Sequence, residues 1–260
     1  MIGLLLAAKI AAAVVIVVSA ARATERAGPL IGGMIATLPV STGPIYVFLA
    51  LDHDAAFISD SARMSVAGTT ATIAFVAAYA FVAQRHATPL SWLAGTAAWF
   101  AVAILLQLRD WSFIEACVLF AGSTLLAIRG LRRFRVADLH AAIPHGRYDL
   151  VLRAALIACV VVATTFTGDL LGPSATGVVA TYPVVMTSLV LILQPRCGGP
   201  FTASMLVIAL KGMLGFGTCL AVLHLAAARM DSAPALLLAL AAAIGWNLVL
   251  YMLRAKKAAV

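Results

Sequence analysis

Nine apolar stretches, each about as long as a bilayer crossing, follow one another along this chain with short connections between them. A transmembrane helix needs roughly 17–25 predominantly apolar residues, and in lipid its backbone must satisfy its own hydrogen bonds. The stretches cover approximately residues 2–21, 29–51, 64–84, 90–108, 111–129, 150–169, 173–194, 201–228 and 233–253. The pattern predicts an all-α integral membrane protein with about nine transmembrane helices, and it excludes a soluble domain.

Composition supports this prediction, because polar side chains are too few to cover a surface in water. Charged residues make up 11% of the chain and hydrophobic residues 63%, against about 25% and about 45–50% in soluble domains. The net charge of +8 comes from basic residues between apolar runs, so we expect the lipid bilayer as a partner and no nucleic acid. The four cysteines have no metal-ligand spacing, and we predict no metal and no cofactor.

The basic residues also predict an orientation. If all nine stretches cross, thirteen arginines and lysines lie in loops on one side and three on the other. The first group is Arg22, Arg26, Arg85, Arg129, Arg132, Arg133, Arg135, Arg147, Arg153, Arg196, Arg254, Lys256 and Lys257, and the second is Arg63, Arg109 and Arg229. The positive-inside rule then places the N-terminus outside and the C-terminus in the cytoplasm. Short loops and abundant Arg and Ala indicate a bacterial inner membrane.

Two alternatives to this topology are disfavoured. A topology with re-entrant hairpins at 29–51 and 173–194 divides the loop charges almost evenly, which the positive-inside rule does not favour. The first 23 residues resemble a signal peptide, but no positive charge precedes their apolar run and Lys9 interrupts it. We therefore expect a permanent first helix.

An internal repeat organises the chain. Residues 28–40 read GPLIGGMIATLPV and residues 172–184 read GPSATGVVATYPV, and seven of these thirteen positions are identical at a shift of 144. The repeat predicts four helices in residues 1–108, a linking fifth helix and a basic loop in 109–149, and four helices in 150–260. Because one helix separates the two repeats, they enter the membrane from opposite sides. An inverted repeat is a common plan of secondary transporters.

This plan resembles that of small inverted-repeat secondary transporters such as the bile-acid/sodium symporter-like proteins. The Gly-Pro-Leu-Ile-Gly-Gly run at residues 28–33 resembles duplicated bacterial permeases of the AbrB type. The resemblance concerns architecture and implies solute transport, and it transfers no functional residue to this chain.

Two Thr-x-Pro sites are the first candidates for solute binding. Proline in a helix interior removes a hydrogen bond, and matched interruptions in two halves indicate a transporter binding site. The substrate-binding candidates are Thr37, Pro39, Ser41, Thr42, Thr181, Pro183 and Thr187. We expect the two sites to face each other near the bilayer midplane. The alternative is a pair of kinks that nearby Ser and Thr side chains repair.

Charged residues inside apolar stretches are the second group of candidates. Lys211 lies about ten residues into its segment, where a lysine costs roughly 2.5–3.5 kcal/mol. It is a candidate counter-charge for an anionic solute, and Lys9 and Glu115 are candidates for proton coupling. An ion pair between Lys211 and Glu115, or a lysine that extends to the membrane surface, is the structural alternative.

A polar cluster of Asp52, His53, Asp54, Asp60 and Arg63 follows the second stretch. It could bind a cation, but a solvated loop is the favoured interpretation, because the second repeat has no counterpart. The leading hypothesis is a secondary transporter, or permease, for a small and possibly anionic solute, with proton coupling as an option. A membrane enzyme acting on lipid, a channel and a structural partner protein are the alternatives. Known enzyme motifs are absent from the sequence, so we predict no enzymatic activity.

Overall fold

The structure is a computed structural model that describes residues 11–16, 19, 42–135 and 149–258. All regular elements within these ranges are helical. The α-helices from residue 42 onwards are α1 (Thr42–Asp52), α2 (Ala55–Val82), α3 (Thr88–Gln107), α4 (Phe113–Gly130), α5 (Asp149–Val179), α6 (Val184–Cys197), α7 (Gly199–Ala227) and α8 (Ser232–Ala258), and a 3-10 turn (Arg132–Phe134) follows α4.

Six of these helices are long and apolar enough to cross a membrane, namely α2, α3, α4, α5, α7 and α8. They coincide with six of the nine predicted stretches, so the chain is a multi-pass helical membrane protein. Of the other three stretches, most of 2–21 and most of 29–51 lie outside the described residues. The third, 173–194, is not one continuous helix.

The predicted polar loop after the second stretch is much shorter than expected. Helix α2 begins at Ala55, nine residues before the predicted start at residue 64, because the side chain of Asp54 caps it by accepting a hydrogen bond from the Phe57 N–H at 2.9 Å. Asp60 and Arg63 therefore lie in the first turns of α2, where they form an ion pair at 3.4 Å. Only His53 and Asp54 connect α1 to α2.

The helix ends meet at two opposite ends of the bundle. At one end, which we call the His53 end, Ser59 of α2 bonds to His224 of α7, and Arg63 donates to the carbonyl of Trp111. At the other end, which we call the Arg196 end, Arg196 of α6 pairs with Asp149 of α5 at 2.7 Å.

The chain from α5 to α6 forms a helical hairpin, and its second arm contains a non-helical break. Gly172 has φ 77° and ψ −173°, a conformation open essentially to glycine alone, and it turns the chain near the His53 end, where Gly168 lies beside the His53 ring. Residues 173–179 then begin the return, a non-helical break follows at 180–183, and α6 continues to Arg196 beside Asp149. We call residues 173–197 the interrupted segment.

Helices α2 and α7 form the centre of the bundle and run antiparallel. Ser59 near the start of α2 contacts His224 near the end of α7, while Ala83 just after α2 lies against Gly199 at the start of α7. These two helices start 144 residues apart, at 55 and 199, and α3 and α8 also start 144 apart, at 88 and 232. The contacts between halves are reciprocal, because α3 packs on α6 and α8 packs on α1.

Candidate functional site

The break at residues 180–183 interrupts the helical backbone in an apolar part of the described chain. Pro183 precedes α6 with φ −78° and ψ 67°, and it has no N–H to donate to the carbonyl of Val179. Tyr182 N donates to that carbonyl instead, at 3.0 Å, and Val184 N turns back to the Tyr182 carbonyl at 2.8 Å. These local bonds divert the amide donors that would continue the helix.

Three hydroxyl groups from other helices donate to the carbonyls that lose their helical donors. Ser65 donates to the Gly177 carbonyl at 2.6 Å, Thr72 to the Thr181 carbonyl at 2.7 Å and Thr42 to the Ala180 carbonyl at 3.4 Å. We call Thr42, Ser65 and Thr72 the hydroxyl cluster. All eight carbonyl oxygens from residue 176 to residue 183 thereby accept a hydrogen bond, as backbone in lipid requires.

The hydroxyl of Ser65 is also the acceptor of a buried tyrosine. Tyr46 OH lies 2.6 Å from Ser65 Oγ. The single Ser65 hydroxyl hydrogen is used on the Gly177 carbonyl, so Tyr46 must be the donor of this pair. The order Tyr46, Ser65, Gly177 links α1, α2 and the interrupted segment.

Two glycines let the interrupted segment approach α2 closely. A Cβ on Gly177 would lie 2.1 Å from the Ser61 carbonyl oxygen, and one on Gly68 would lie 2.8 Å from the Thr181 hydroxyl oxygen. Side chains of any size at these two positions would move the carbonyls away from their hydroxyl donors. Glycine therefore sets the spacing that the hydroxyl cluster needs.

Some hydrogen-bond donors next to the break have no partner in the described part of the chain, whereas its carbonyl acceptors all have one. Thr187, in the first turn of α6, is 0% exposed, and Trp99 of α3 is 2% exposed. Neither the Thr187 hydroxyl nor the Trp99 indole N–H has a hydrogen-bond partner among the residues that the structure describes. The Trp99 ring packs edge-on against Tyr182, with 5.1 Å between the ring centroids.

Hydrogen bonds of Gln194 at the Arg196 end fix how α6 lies along α3. Gln194 accepts from the Tyr79 hydroxyl at 2.9 Å and donates to Ser91 Oγ at 3.3 Å and to the His86 carbonyl at 3.0 Å. Thr187 lies seven residues before Gln194 and so on the same face of α6. That face therefore runs along α3 from Ser91 to Trp99.

An apolar cavity of about 620 Å³ adjoins the other side of the break. Its walls come from α1, the second half of α7 and the first half of α8, and Ile16 closes one side. Thr42 and Tyr46 are among its lining residues, and the described lining contains no charged side chain. The cavity falls within the range of about 300–1,000 Å³ that is usual for small-molecule sites.

The structure brings only some of the predicted site residues together. Thr42, Thr181, Pro183 and Thr187 lie at the break, although the Thr181 hydroxyl is used on the Val178 carbonyl of its own turn, at 2.7 Å. Thr37, Pro39, Ser41 and Lys9 lie outside the described residues, so the predicted meeting of the two Thr-x-Pro sites stays a prediction.

Neither of the charged candidates that the structure describes, Lys211 and Glu115, forms a hydrogen bond or an ion pair with the break. Lys211 is exposed on α7, and it does not line the cavity. Glu115 belongs to the N-terminal capping box of α4 with Ser112 and pairs with Arg109. These contacts give Glu115 a structural partner other than Lys211.

The side chains of the polar cluster near His53 make separate structural contacts and do not form one site. Asp54 caps α2, Asp60 pairs with Arg63, and the His53 ring stacks on Phe57 with 3.8 Å between the centroids. Within the described ranges, no group of three or more His, Cys, Asp or Glu residues is placed to hold a metal ion.

Sequence reasoning missed Ser65, Thr72, Tyr46 and Trp99. A signal was present, because α2 carries hydroxyl residues at helical spacing through an otherwise apolar stretch, namely Ser61, Ser65, Thr69 and Thr72. Such a face inside a membrane helix indicates a polar partner on a neighbouring segment.

Comparison of the chain with protein-family models, curated proteins and solved structures finds no match.

Proposed function

We propose that this protein is a secondary transporter that moves a small solute across the bacterial inner membrane by alternating access. The observation that carries the proposal is the interrupted segment, whose break at Thr181 and Pro183 lies beside the middle of α2 at Gly68 and Thr72. Non-helical backbone at this depth occurs where protein or a water-filled cavity surrounds it. Discontinuous helices of this kind form the substrate sites of inverted-repeat transporters.

The packing of α2 and α7 supports an inverted repeat. Helices that an inverted repeat relates run in opposite directions, and these two are antiparallel with starts 144 residues apart. The reciprocal contacts of α3 with α6 and of α8 with α1 follow the same pseudo-two-fold relation. A rocking motion of one half against the other then opens the break alternately to the two sides of the membrane.

The cavity beside Thr42 and Tyr46 supports a solute of modest size. Its volume and apolar walls resemble those of a small-molecule site. Lys211 does not line it, so transport by this route does not require Lys211 as the counter-charge. A membrane enzyme is the weaker candidate, because Asp54 and Asp60 already serve as a helix cap and as an ion-pair partner.

Uptake into proteoliposomes with a reversible cross-link between the halves tests the proposal. Cysteines replacing Ser59 and His224, in a background without the four native cysteines, would join α2 to α7 at the His53 end. We expect a screen of radiolabelled small solutes, with and without a pH gradient, to find uptake that oxidation abolishes and a reducing agent restores.

A cross-link inside one half is the matched control. Cysteines replacing Phe75 and Gly95 join α2 to α3, where the two residues are in contact, and oxidation should leave uptake within about twofold of the reduced protein. Uptake that continues at full rate with the Ser59 and His224 positions linked would refute alternating access between these halves.

A further inference from the structure

The two sides of the break differ in their unused hydrogen-bonding capacity. Every carbonyl from residue 176 to residue 183 already accepts a hydrogen bond. Each carbonyl oxygen has a second lone pair, but none of these eight oxygens is without a hydrogen-bond partner. The groups at the break that lack a hydrogen-bond partner within the described ranges are instead N–H and O–H donors.

The backbone supplies two of these donors. The first turn of a helix leaves its N–H groups without acceptors inside the helix. Val184 N donates to the Tyr182 carbonyl and Thr187 N to the Pro183 carbonyl, which leaves the N–H groups of Val185 and Met186 without an acceptor among the described residues. The helix dipole adds partial positive charge at the same place.

Two side chains supply the rest. The Thr187 hydroxyl and the Trp99 indole N–H are fully or almost fully buried and lack partners in the described part of the chain. Thr187 belongs to the same first turn of α6, and Trp99 packs on Tyr182, which closely precedes that turn. Buried donors without acceptors are costly in an apolar surrounding, where each costs about 1–3 kcal/mol.

A ligand that pairs with these donors must present several hydrogen-bond acceptors at once. An anion does so, and helix N-termini bind anions through free N–H groups and the dipole together. We propose that the start of α6 is an anion site that takes the carboxylate group of a small solute. The assignment of that carboxylate to a transported solute rests on the proposed function, whereas the anion site itself does not.

Trp99 provides a direct reporter for this site. Iodide, a small anion that quenches indole fluorescence, is titrated as its sodium salt into the purified protein in detergent, and the same titration of the Trp99→Phe variant controls for the change in ionic strength. We expect a saturable quenching component that the Trp99→Phe variant lacks, on top of the linear quenching of Trp92, Trp111 and Trp246. Linear quenching alone in the wild-type protein would overturn the site.

Removal of one donor should weaken the binding of iodide. Thr187→Val keeps the side-chain shape and deletes the hydroxyl, and we expect the dissociation constant to rise about tenfold. Its melting temperature should not fall, because no existing hydrogen bond is lost, whereas a purely structural role would lower it. The matched control is Thr164→Val, whose hydroxyl bonds to its own helix at 2.9 Å and whose loss should leave iodide binding unchanged.

Competition identifies the chemical class. Acetate should displace iodide, and acetamide, which has the same shape without the charge, should not. Displacement by chloride alone would make this an inorganic-anion site and refute the carboxylate, while equal competition by acetamide would refute the anion. Saturable binding in a protein that transports no carboxylate would refute the proposed function and leave the site standing.

Discussion

Two serines one turn apart on α2 show how little the residue type alone reveals. Ser61 and Ser65 are both 0% exposed. Ser65 accepts from Tyr46 and donates to the Gly177 carbonyl, while the Ser61 hydroxyl has no partner among the residues that the structure describes. The difference arises because the interrupted segment presents the Gly177 carbonyl to Ser65 and no carbonyl to Ser61.

Replacement of these serines should therefore have unequal effects. Ser65→Ala leaves the Tyr46 hydroxyl and the Gly177 carbonyl buried without partners, and each such group costs about 1–3 kcal/mol. We expect the melting temperature in detergent to fall by several degrees. Ser61→Ala removes a hydroxyl that is already unpaired, so it should be neutral or slightly stabilising. Equal melting temperatures for the two variants would contradict the network.

Among the elements, the interrupted segment depends most on a single backbone conformation. Gly172 has a positive φ, and a Cβ added to it would have nothing within 4 Å, so its role is conformational and not steric. It reverses the chain between residues 149–171 and 173–179, and it thereby sets where Gly177 meets Ser65.

Gly172→Ala should test that role. The conformation costs a residue with a side chain about 1–3 kcal/mol, and we expect a matching loss of stability in thermal denaturation. Gly122→Ala is the control, since Gly122 lies inside α4 with open space around it, and alanine there is favoured over glycine by roughly 1 kcal/mol. If Gly172→Ala were as stable as Gly122→Ala, the turn would not require glycine.

The elements also show what sequence could and could not predict. Length and hydropathy correctly predicted the six spanning helices, and Pro183 indicated the break in the seventh predicted stretch. The same signals missed the start of α2, because Asp54 as a helix cap looks like part of a polar loop. They also could not orient Lys211, since a helix that is apolar on every side has no sequence pattern to distinguish its inner face from its lipid face.

At the scale of the whole molecule, the two halves share helix starts but not their polar contacts. The hydroxyl cluster of Thr42, Ser65 and Thr72 corresponds, 144 residues later, to Met186, Ala209 and Phe216. Gly68, which faces Thr181, corresponds to Gly212. At a shift of 144, the second half therefore has the glycine but not the hydroxyl donors.

Cross-linking can test whether the close approach of Gly68 and Thr181 has a counterpart 144 residues away. Cysteines replacing Gly68 and Thr181 should form a disulfide on mild oxidation, because a Cβ at Gly68 lies 3.3 Å from Thr181 Cγ2. The repeat predicts the same for Gly212 and Thr37, although Thr37 lies outside the described residues. Gel mobility after cleavage between the halves would report both links. A disulfide at the first pair only would contradict the inverted repeat, and the mixed pair Gly68 with Thr37 should not form.

The hydroxyl cluster has a consequence for biosynthesis. Each of its donors precedes its carbonyl acceptor by more than a hundred residues, with separations of 138, 112 and 109. When the ribosome makes residues 173–197, the three donors have therefore already been translated. The corresponding side chains of the second half, Met186, Ala209 and Phe216, cannot donate hydrogen bonds in return. The carbonyls at the break can thus be paired as soon as the interrupted segment folds, because translation from the N-terminus has already supplied their donors.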